Sequence, residues 1–270
     1  MTTVVATDLD RTLIYSMAAI ESVHSADHIP PLLCVEMLDG QPLSFMTEAA
    51  GRWLEKLRTD AVLVPTTTRT PAQYDRVQLP GGRAPFAVIS NGGHIVVDGV
   101  VDGQWRRGVE ARIADDGAPL AEIVDGLNRQ AGDDWVLKRR IADNLFSYIV
   151  VDLAALPADF LDRWTTWCDR RGWVVSMQGR KIYALPRGLT KEAAIREVMN
   201  RVGSTMLLAA GDGALDAGFL AMATAAIRPP HGELAEIGWQ STNLRVASAM
   251  GVLAGEEMLR WLADEVTKEN

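Results

Sequence analysis

Three short runs of this chain are apolar throughout: TVVAT (3–7), AVLVP (61–65) and TMLLAAG (205–211). Each stops at a cluster of polar residues. A strand with one face in water alternates apolar and polar side chains. A run without alternation is buried on both faces, as in a parallel sheet covered by helices. Helical patterns occupy the intervening stretches. SFMTEAAGRWLEKLR (44–58) places Phe45, Ala49, Trp53, Leu54 and Leu57 on one face, with Ser44 as its expected N-cap. Residues 191–202 and 214–224 read as helices, and the amphipathic segment 248–266 (Met250, Leu253, Met258, Leu259, Trp261, Leu262) is expected to pack on the core. FAVIS (86–90), Asn91-Gly92-Gly93 and HIVVDG read as two strands joined by a turn. The fold class that follows is α/β, a doubly wound parallel sheet, in which ligands bind beyond the carboxyl ends of the strands.

The pattern changes between about 104 and 186. A helical stretch (109–131) precedes the strands WVLKRRI (135–141) and LFSYIVVD (145–152); a second one (157–171) precedes WVVSMQG (173–179) and KIYALP (181–186). This doubled helix-strand-strand pattern predicts an inserted α+β unit, so residues 1–103 and 187–270 form the core and 104–186 the insert. The eight tryptophans, at helical spacings, read as core filling.

The residues after the core strands carry the chemistry. Asp8-Leu9-Asp10-Arg11-Thr12 follows the first run, Thr66-Thr67-Thr68-Arg69-Thr70 the second, and Gly211-Asp212-Gly213-Ala214-Leu215-Asp216 the third. Like charges at a buried strand end repel, and a divalent cation or a shared proton relieves the cost. Four acidic oxygen donors at one sheet edge suit Mg²⁺. Lys191 opens a well-formed helix, with Thr190 as N-cap and Gly203 past its end. A cation in the first turn opposes the helix dipole, which marks the position as a candidate for function; the plainer alternative is a solvated lysine.

In this order the segments resemble the four motifs of the haloacid dehalogenase (HAD) superfamily: Asp8-x-Asp10-x-Thr12-Leu13, Thr67, Lys191 and Gly211-Asp212-Gly213-x-x-Asp216. The insert lies where members of that superfamily carry a C2-type cap. Its doubled pattern, the turn Ser90-Asn91-Gly92-Gly93, and the approach Gly179-Arg180-Lys181-Ile182, Pro186-Arg187-Gly188 to Lys191 are similar to subclass IIB, the group of Cof-type sugar phosphatases, sucrose-phosphate phosphatase and phosphomannomutase. The resemblance implies a Rossmann-like core with a cap that roofs the cleft, and a Mg²⁺-dependent phosphohydrolase acting on a small phosphorylated metabolite such as a sugar or polyol phosphate. Asp8 is then the nucleophile that forms an aspartyl-phosphate, and Asp10 the general acid and base. Mg²⁺ is held by Asp8, the Asp10 carbonyl and Asp212, with Asp216 holding a metal-bound water or Asp212 itself. Thr67 donates to a phosphoryl oxygen and Lys191 neutralises Asp8. Position 11 is Arg where many members carry Gly, and position 215 is Leu where many carry Asn. The three threonines leave the register of the second motif open by one; Thr67-Thr68-Arg69 overlays the usual Thr-Gly-Arg.

Further candidates for binding substrate are Arg11, Thr68, Arg69 and Asn91, the last either touching substrate or only shaping its turn. In the insert, Lys138 and Arg140 share one strand face, Arg139 takes the other, and Arg180 and Lys181 mark the adjoining end. The alternative for each is a solvated basic face. The segment 24–43 is longer than a usual strand-to-helix link and reads either as a hairpin that helps gate the cleft or as a surface excursion.

Composition sets outer bounds. The 27 basic and 35 acidic side chains give a formal charge of −8, which disfavours nucleic acid as the main partner. No apolar run approaches the length that spans a bilayer, so no membrane is expected. The opening TTVVATDLD lacks the pattern of a signal peptide, and the expected compartment is the cytoplasm, with Cys34 and Cys168 as reduced thiols. The four histidines form no zinc pattern. The nearest alternative is a phosphotransferase or phosphomutase on the same scaffold; the alternative from another class is a non-catalytic regulatory binding module.

Overall fold

The computed structural model describes residues 2–269. In chain order the first strands are β1 (Thr3–Thr7), β2 (Leu32–Leu38), β3 (Gln41–Thr47), β4 (Val62–Pro65), β5 (Phe86–Ile89), β6 (His94–Val97) and β7 (Val100–Val101). They continue as β8 (Val136–Ala142), β9 (Phe146–Val151), β10 (Trp173–Gln178), β11 (Lys181–Pro186), β12 (Met206–Ala210), β13 (Ala225–Arg228) and β14 (Leu244–Val246). The helices are α1 (Met17–Glu21), α2 (Glu48–Asp60), α3 (Pro71–Tyr74), α4 (Gly103–Ala114), α5 (Leu120–Gln130), α6 (Phe160–Asp169), α7 (Lys191–Val202), α8 (Ala217–Met222), α9 (Glu233–Glu236) and α10 (Val252–Glu269).

The chain divides into two compact units, one running through Asp102 and resuming at Lys191, the other Gly103–Thr190. Residues 187–190 stay with the second unit because the Arg187 amide donates to the Gly172 carbonyl (2.9 Å) and the Leu189 amide to that of Pro186 (3.0 Å).

The first unit is built on a parallel sheet in the order β14-β13-β12-β1-β4. β1 sits between β12 and β4 and is buried along its whole length. The chain adds β4 on one side of β1 and β12, β13 and β14 on the other. The gap between β1 and β12 is therefore the topological switch point, where the loops after neighbouring strands diverge and leave a crevice. Val5, Leu63, Leu208 and Ile227 pack with Leu54 and Leu57 of α2 and with Met258, Leu259, Leu262 and Val266 of α10 in one apolar cluster. Two of these strands, β13 and β14, are too short and too poor in branched residues to signal themselves in the sequence. β5 runs beside β4 through one parallel bridge, Thr66 to Val88, and then turns back as the antiparallel pair β5-β6.

The structure corrects the helix expected at 44–58. Residues 41–47 are a strand, paired with 32–38 in an antiparallel hairpin. Asp39-Gly40 makes the turn, with φ of 50° and 75°, the backbone that two-residue hairpin loops require. Helix α2 starts at Glu48, capped by Thr47, whose hydroxyl accepts the Ala50 amide at 2.9 Å. Ser44 is thus no cap; it lies in β3 and donates to Glu36 at 2.6 Å. The segment 24–43 contributes the first strand and turn of this hairpin. Two further boundaries shift. The stretch 109–131 is two helices, α4 and α5, because Pro119 disfavours helical geometry at the residue before it. Met250 precedes α10 and is exposed rather than packed.

The second unit is a four-stranded antiparallel sheet in the order β10-β11-β9-β8, with α5 and α6 against it. Trp164 of α6 is 1% exposed and stacks between Phe160 and Trp167. Trp135 meets Phe160 edge to face, which anchors the start of β8 to the same cluster. Trp173 is buried as well, with aliphatics such as Ile149, Val151 and Ile182.

Candidate active site

The carboxyl ends of β1 and β12 deliver the acidic residues. The Asp8 amide donates to the Ala210 carbonyl at 2.8 Å, so the two loops begin from one hydrogen bond. After Asp8 the backbone doubles back: the Leu9 carbonyl accepts the amides of Thr12, Leu13 and Ile14. This turn needs left-handed geometry at Arg11, whose φ is 62°. Glycine adopts such a φ without strain, which accounts physically for glycine at this place in the resembling family. Arg11 is held there by its amide, which donates to the Ile14 carbonyl (2.8 Å), and by its carbonyl, which meets His231 Nε2 (3.0 Å).

On the β12 side, Asp216 Oδ2 accepts the amides of Asp212 (3.0 Å) and Gly213 (2.9 Å), and this folds the loop around Asp212. The Thr12 hydroxyl donates to Asp212 Oδ1 at 3.3 Å. Gly232, after β13, packs against Asp212; a Cβ there would lie 2.5 Å from Asp212 Oδ2. Sequence reasoning missed this glycine because the strand before it, AAIR, went unread.

Lys191, at the first position of α7, is 1% exposed, and its Nζ lies 2.6 Å from both Asp8 Oδ1 and Asp216 Oδ1. The solvated-lysine alternative is therefore excluded. Oxygens of Asp8, Asp212 and Asp216 lie within 4.8 Å of one another. Three buried carboxylates thus face one ammonium. Burial, with the charges of Asp216 and Asp10 added and that of Lys191 opposing, pushes the Asp8 carboxyl up to about 7. Burial and the charges of Asp8 and Asp216 hold Asp212 well above the usual carboxylate range. Burial works against the Lys191 ammonium, yet the two aspartates outweigh it and keep the group charged. The excess of hard, buried oxygen donors fits a divalent cation of the Mg²⁺ type.

The second loop is more tightly held than the sequence suggests. The Thr66 hydroxyl turns back to the Val64 carbonyl (2.9 Å), which leaves Thr67 as the next buried hydroxyl. Thr67 Oγ1 accepts the Arg69 amide at 3.2 Å, and half-exposed Thr68 lies between them. The turn after β5 braces this loop, the Asn91 amide donating to the Thr67 carbonyl (3.0 Å) and the Ser90 amide to that of Arg69 (2.8 Å). Asn91 has φ 56°, so its turn-shaping part is directly visible.

Arg69 departs from expectation. Its guanidinium is not an open cation. Nε and Nη2 donate to the two oxygens of Asp10, each at 2.8 Å, and Nη1 reaches Glu36 at 2.8 Å. Glu36, the partner on Arg69's remaining edge, is not marked by any pattern in the sequence. The Asp10 carboxylate is accordingly turned to Arg69, while Asp8, Asp212, Asp216 and Lys191 gather together.

Lys138, Arg140 and Arg180 belong to the other unit. Lys138 and Arg140 are exposed on β8, past an irregularity between Val136 and Lys138. Arg140 Nη1 donates to the Arg139 carbonyl (2.9 Å), and Arg139 pairs with Asp133 (2.7 Å). Arg180 is exposed in the turn between β10 and β11, its carbonyl accepting the Val151 amide (2.9 Å). Among the described residues, no helix is long and apolar enough to cross a membrane.

No family model matches the sequence, and no curated protein does. Solved structures do match. The sucrose-phosphatase of Synechocystis sp. PCC6803, solved with sucrose and phosphate, has a TM-score of 0.65 at 15% identity, over 97% of this chain and 98% of that one. The HAD subclass IIB sugar phosphatase BT4131 has a TM-score of 0.58 at 11% identity, over 98% and 100%. A trehalose-6-phosphate phosphatase related protein has 0.56 at 16%, over 99% and 100%. The chain has the fold of the haloacid dehalogenase superfamily, in the form found in its subclass IIB phosphatases.

Proposed function

We propose that the protein is a Mg²⁺-dependent phosphohydrolase acting on a small phosphorylated metabolite, a sugar or polyol phosphate, through an aspartyl-phosphate on Asp8. The observation that carries this is the buried clamp of Lys191 between Asp8 and Asp216, beside Asp212, at the switch point of the sheet. Uncatalysed phosphate monoester hydrolysis is so slow that an enzyme must supply roughly 20 kcal/mol of transition-state advantage, chiefly by positioning and charge neutralisation.

In this reading an Asp8 oxygen attacks phosphorus while the ester P–O bond breaks. The leaving oxygen takes the electron pair and the proton of the Asp10 carboxyl, which carries that proton on an oxygen that has given up its bond to Arg69. Water then attacks the aspartyl-phosphate and gives a proton to the Asp10 carboxylate; the bond to Asp8 breaks, and inorganic phosphate and both starting carboxyls are recovered. Lys191 holds Asp8 in place and offsets the charge of the transferring group. Thr67 donates to a phosphoryl oxygen. Asp8, Asp212 and the Asp10 carbonyl would hold Mg²⁺, with Asp216 shaping the Asp212 loop. When bound, Mg²⁺ supplies Lewis-acid stabilisation of phosphoryl charge. The insert takes the part of a C2-type cap, with Lys138, Arg140 and Arg180, and Arg11 in the core, as the candidates for recognising the rest of the substrate. The two unpaired thiols accord with a cytoplasmic location.

The test is release of inorganic phosphate from a panel of phosphorylated metabolites, with and without Mg²⁺, by the wild type and by Asp8→Asn. Mg²⁺-dependent release that Asp8→Asn abolishes supports the reading, and the ranking of substrates names the class. A folded protein that releases no phosphate across the panel overturns it. Transfer of phosphate to a sugar hydroxyl instead of water would make the protein a phosphotransferase.

A further inference from the structure

The hairpin β2-β3 brings a buried carboxylate into the catalytic loop's surroundings. The side chain of Glu36 is 0% exposed. Its Oε1 meets Arg69 Nη1 (2.8 Å) and Arg76 Nη2 (3.1 Å), and its Oε2 accepts the Ser44 hydroxyl (2.6 Å). The backbone at this point is equally fixed: Glu36 bridges Val77, and the Gln78 amide donates to the Val35 carbonyl at 2.7 Å. Arg76 in turn donates to the Ala72 carbonyl of α3 (3.3 Å). The result is a chain of alternating charge, Arg76–Glu36–Arg69–Asp10, running from a hairpin with no part in the chemistry to the acid-base residue.

A buried carboxylate with every oxygen engaged is costly to assemble and costly to disturb. A purely structural pair would need only one arginine. Here the second arginine presents its two remaining donor edges to both oxygens of Asp10. A guanidinium is planar, so pinning Nη1 on Glu36 fixes the plane in which Nε and Nη2 present their protons. The bidentate pair ties the plane of the Asp10 carboxylate to that of the guanidinium.

We infer that Glu36 is a positioning residue, which sets the orientation of the Asp10 carboxylate through Arg69. This inference rests on the proposed hydrolase reading and adds to it a residue outside the HAD motifs. Without Glu36 the Arg69 guanidinium keeps its fork on Asp10 and a long contact to the Gln73 carbonyl (3.5 Å) but loses its short third anchor, and the direction in which it holds Asp10 is less tightly set. Steps that need Asp10 slow; the attack of Asp8 on an ester whose leaving group needs no proton does not.

The experiment is rapid-mixing kinetics of wild type and Glu36→Gln with two esters. p-Nitrophenyl phosphate releases an anion that is stable unprotonated; glycerol phosphate releases an alkoxide that must take a proton. With the aryl ester, the burst of nitrophenolate reports phosphorylation of Asp8, and the later steady rate reports its hydrolysis by Asp10-activated water. For Glu36→Gln the burst rate is expected to stay within twofold of wild type while the steady rate falls about tenfold, the scale of a modest misplacement. With glycerol phosphate, kcat falls at least as far and KM stays within about twofold. In an Asp10→Asn background, adding Glu36→Gln is expected to change neither rate further. Equal slowing of burst and steady rates, no slowing of either, or full additivity with Asp10→Asn overturns the inference. If Glu36→Gln does not fold, Ser44→Ala is read for the same split, because it removes one hydrogen bond from Glu36 and leaves both ion pairs. A wild type that hydrolyses no ester overturns the hydrolase reading and this inference together; an active wild type without the split overturns this inference alone.

Discussion

The two units bury different kinds of matter. In the unit that holds β1, the buried side chains include Asp8, Glu36, Lys191, Asp212 and Asp216. In the unit Gly103–Thr190, among the described residues, the polar side chains buried to that degree are the neutral Ser147 and Ser176, and the interior is rings and aliphatics. Charges buried in pairs are weak contributors to stability but strong constraints on geometry, since each is tolerable only while its partners stay in place. Apolar packing does the reverse: it stabilises and leaves the surface free to change. The first unit is therefore built to hold one arrangement of charges, and the second rests on an apolar interior.

The largest expected effect breaks the comparison at its charged end. Asp8→Asn removes the nucleophile, and kcat for phosphate release is expected to fall by roughly 10⁴-fold or more while the protein remains folded. Activity within tenfold of wild type would mean that the buried charges serve stability, not catalysis. Next in size is Lys191→Met. It leaves three carboxylates without their ammonium, and the expected loss is about 3–5 kcal/mol of stability in the absence of divalent cation. Mg²⁺ should restore part of it, because a cation in that site replaces the missing charge. Denaturant melts with and without Mg²⁺ check this. An unchanged midpoint would mean that the aspartates already share protons.

How much of this is legible in the sequence depends on whether a residue's setting is local. Asp8, Asp212 and Asp216 each follow an apolar run, and Lys191 opens a helix, so reading the ends of strands was enough to find a cluster that the fold closes from residues 200 apart. Glu36 was not legible. Its strand, LLCVEML, does not alternate, and pairing with β3 shifts register on both sides of Glu36, so no periodicity marks the side chain as inward. Nor could Arg69 be seen as an occupied cation, since its partners come from the loop after β1 and from strand β2. The legible turn is Leu38-Asp39-Gly40-Gln41: Asp-Gly between apolar segments is a hairpin signal, and it places the N-cap of α2 at Thr47 and its first residue at Glu48. Gly232 was lost with β13, a four-residue strand with two alanines.

The apolar end of the comparison is tested by Trp164→Ala. This ring is 1% exposed between Phe160 and Trp167, and its removal is expected to cost about 3–5 kcal/mol. The loss should fall on the insert: hydrogen exchange is expected to rise in β8–β11 and to stay unchanged in β1 and β12. Uniform loss of protection through both units would show that they unfold as one and that the difference in what they bury is not a division of stability.

The smallest effect sharpens the comparison, because it asks whether a single buried charge is felt by the fold. Burial alone would raise the Glu36 carboxyl. Hydrogen bonds from Arg69 and Ser44, with the charges of Arg69 and Arg76, outweigh burial and hold it below the ordinary range. The unfolded chain therefore binds a proton at Glu36 more readily than the folded one. Its contribution to stability is fully present above the unfolded value, about 4.3, and is lost as pH falls through the lower folded value. Glu36→Gln cannot titrate there. The stability difference between wild type and Glu36→Gln, from urea melts at a series of pH values, should be constant above about pH 5 and shrink steadily below pH 4. A difference that persists unchanged to pH 3 would mean that Glu36 acts through shape and hydrogen bonding alone, and that the charge on the hairpin is incidental to how the catalytic loop is held.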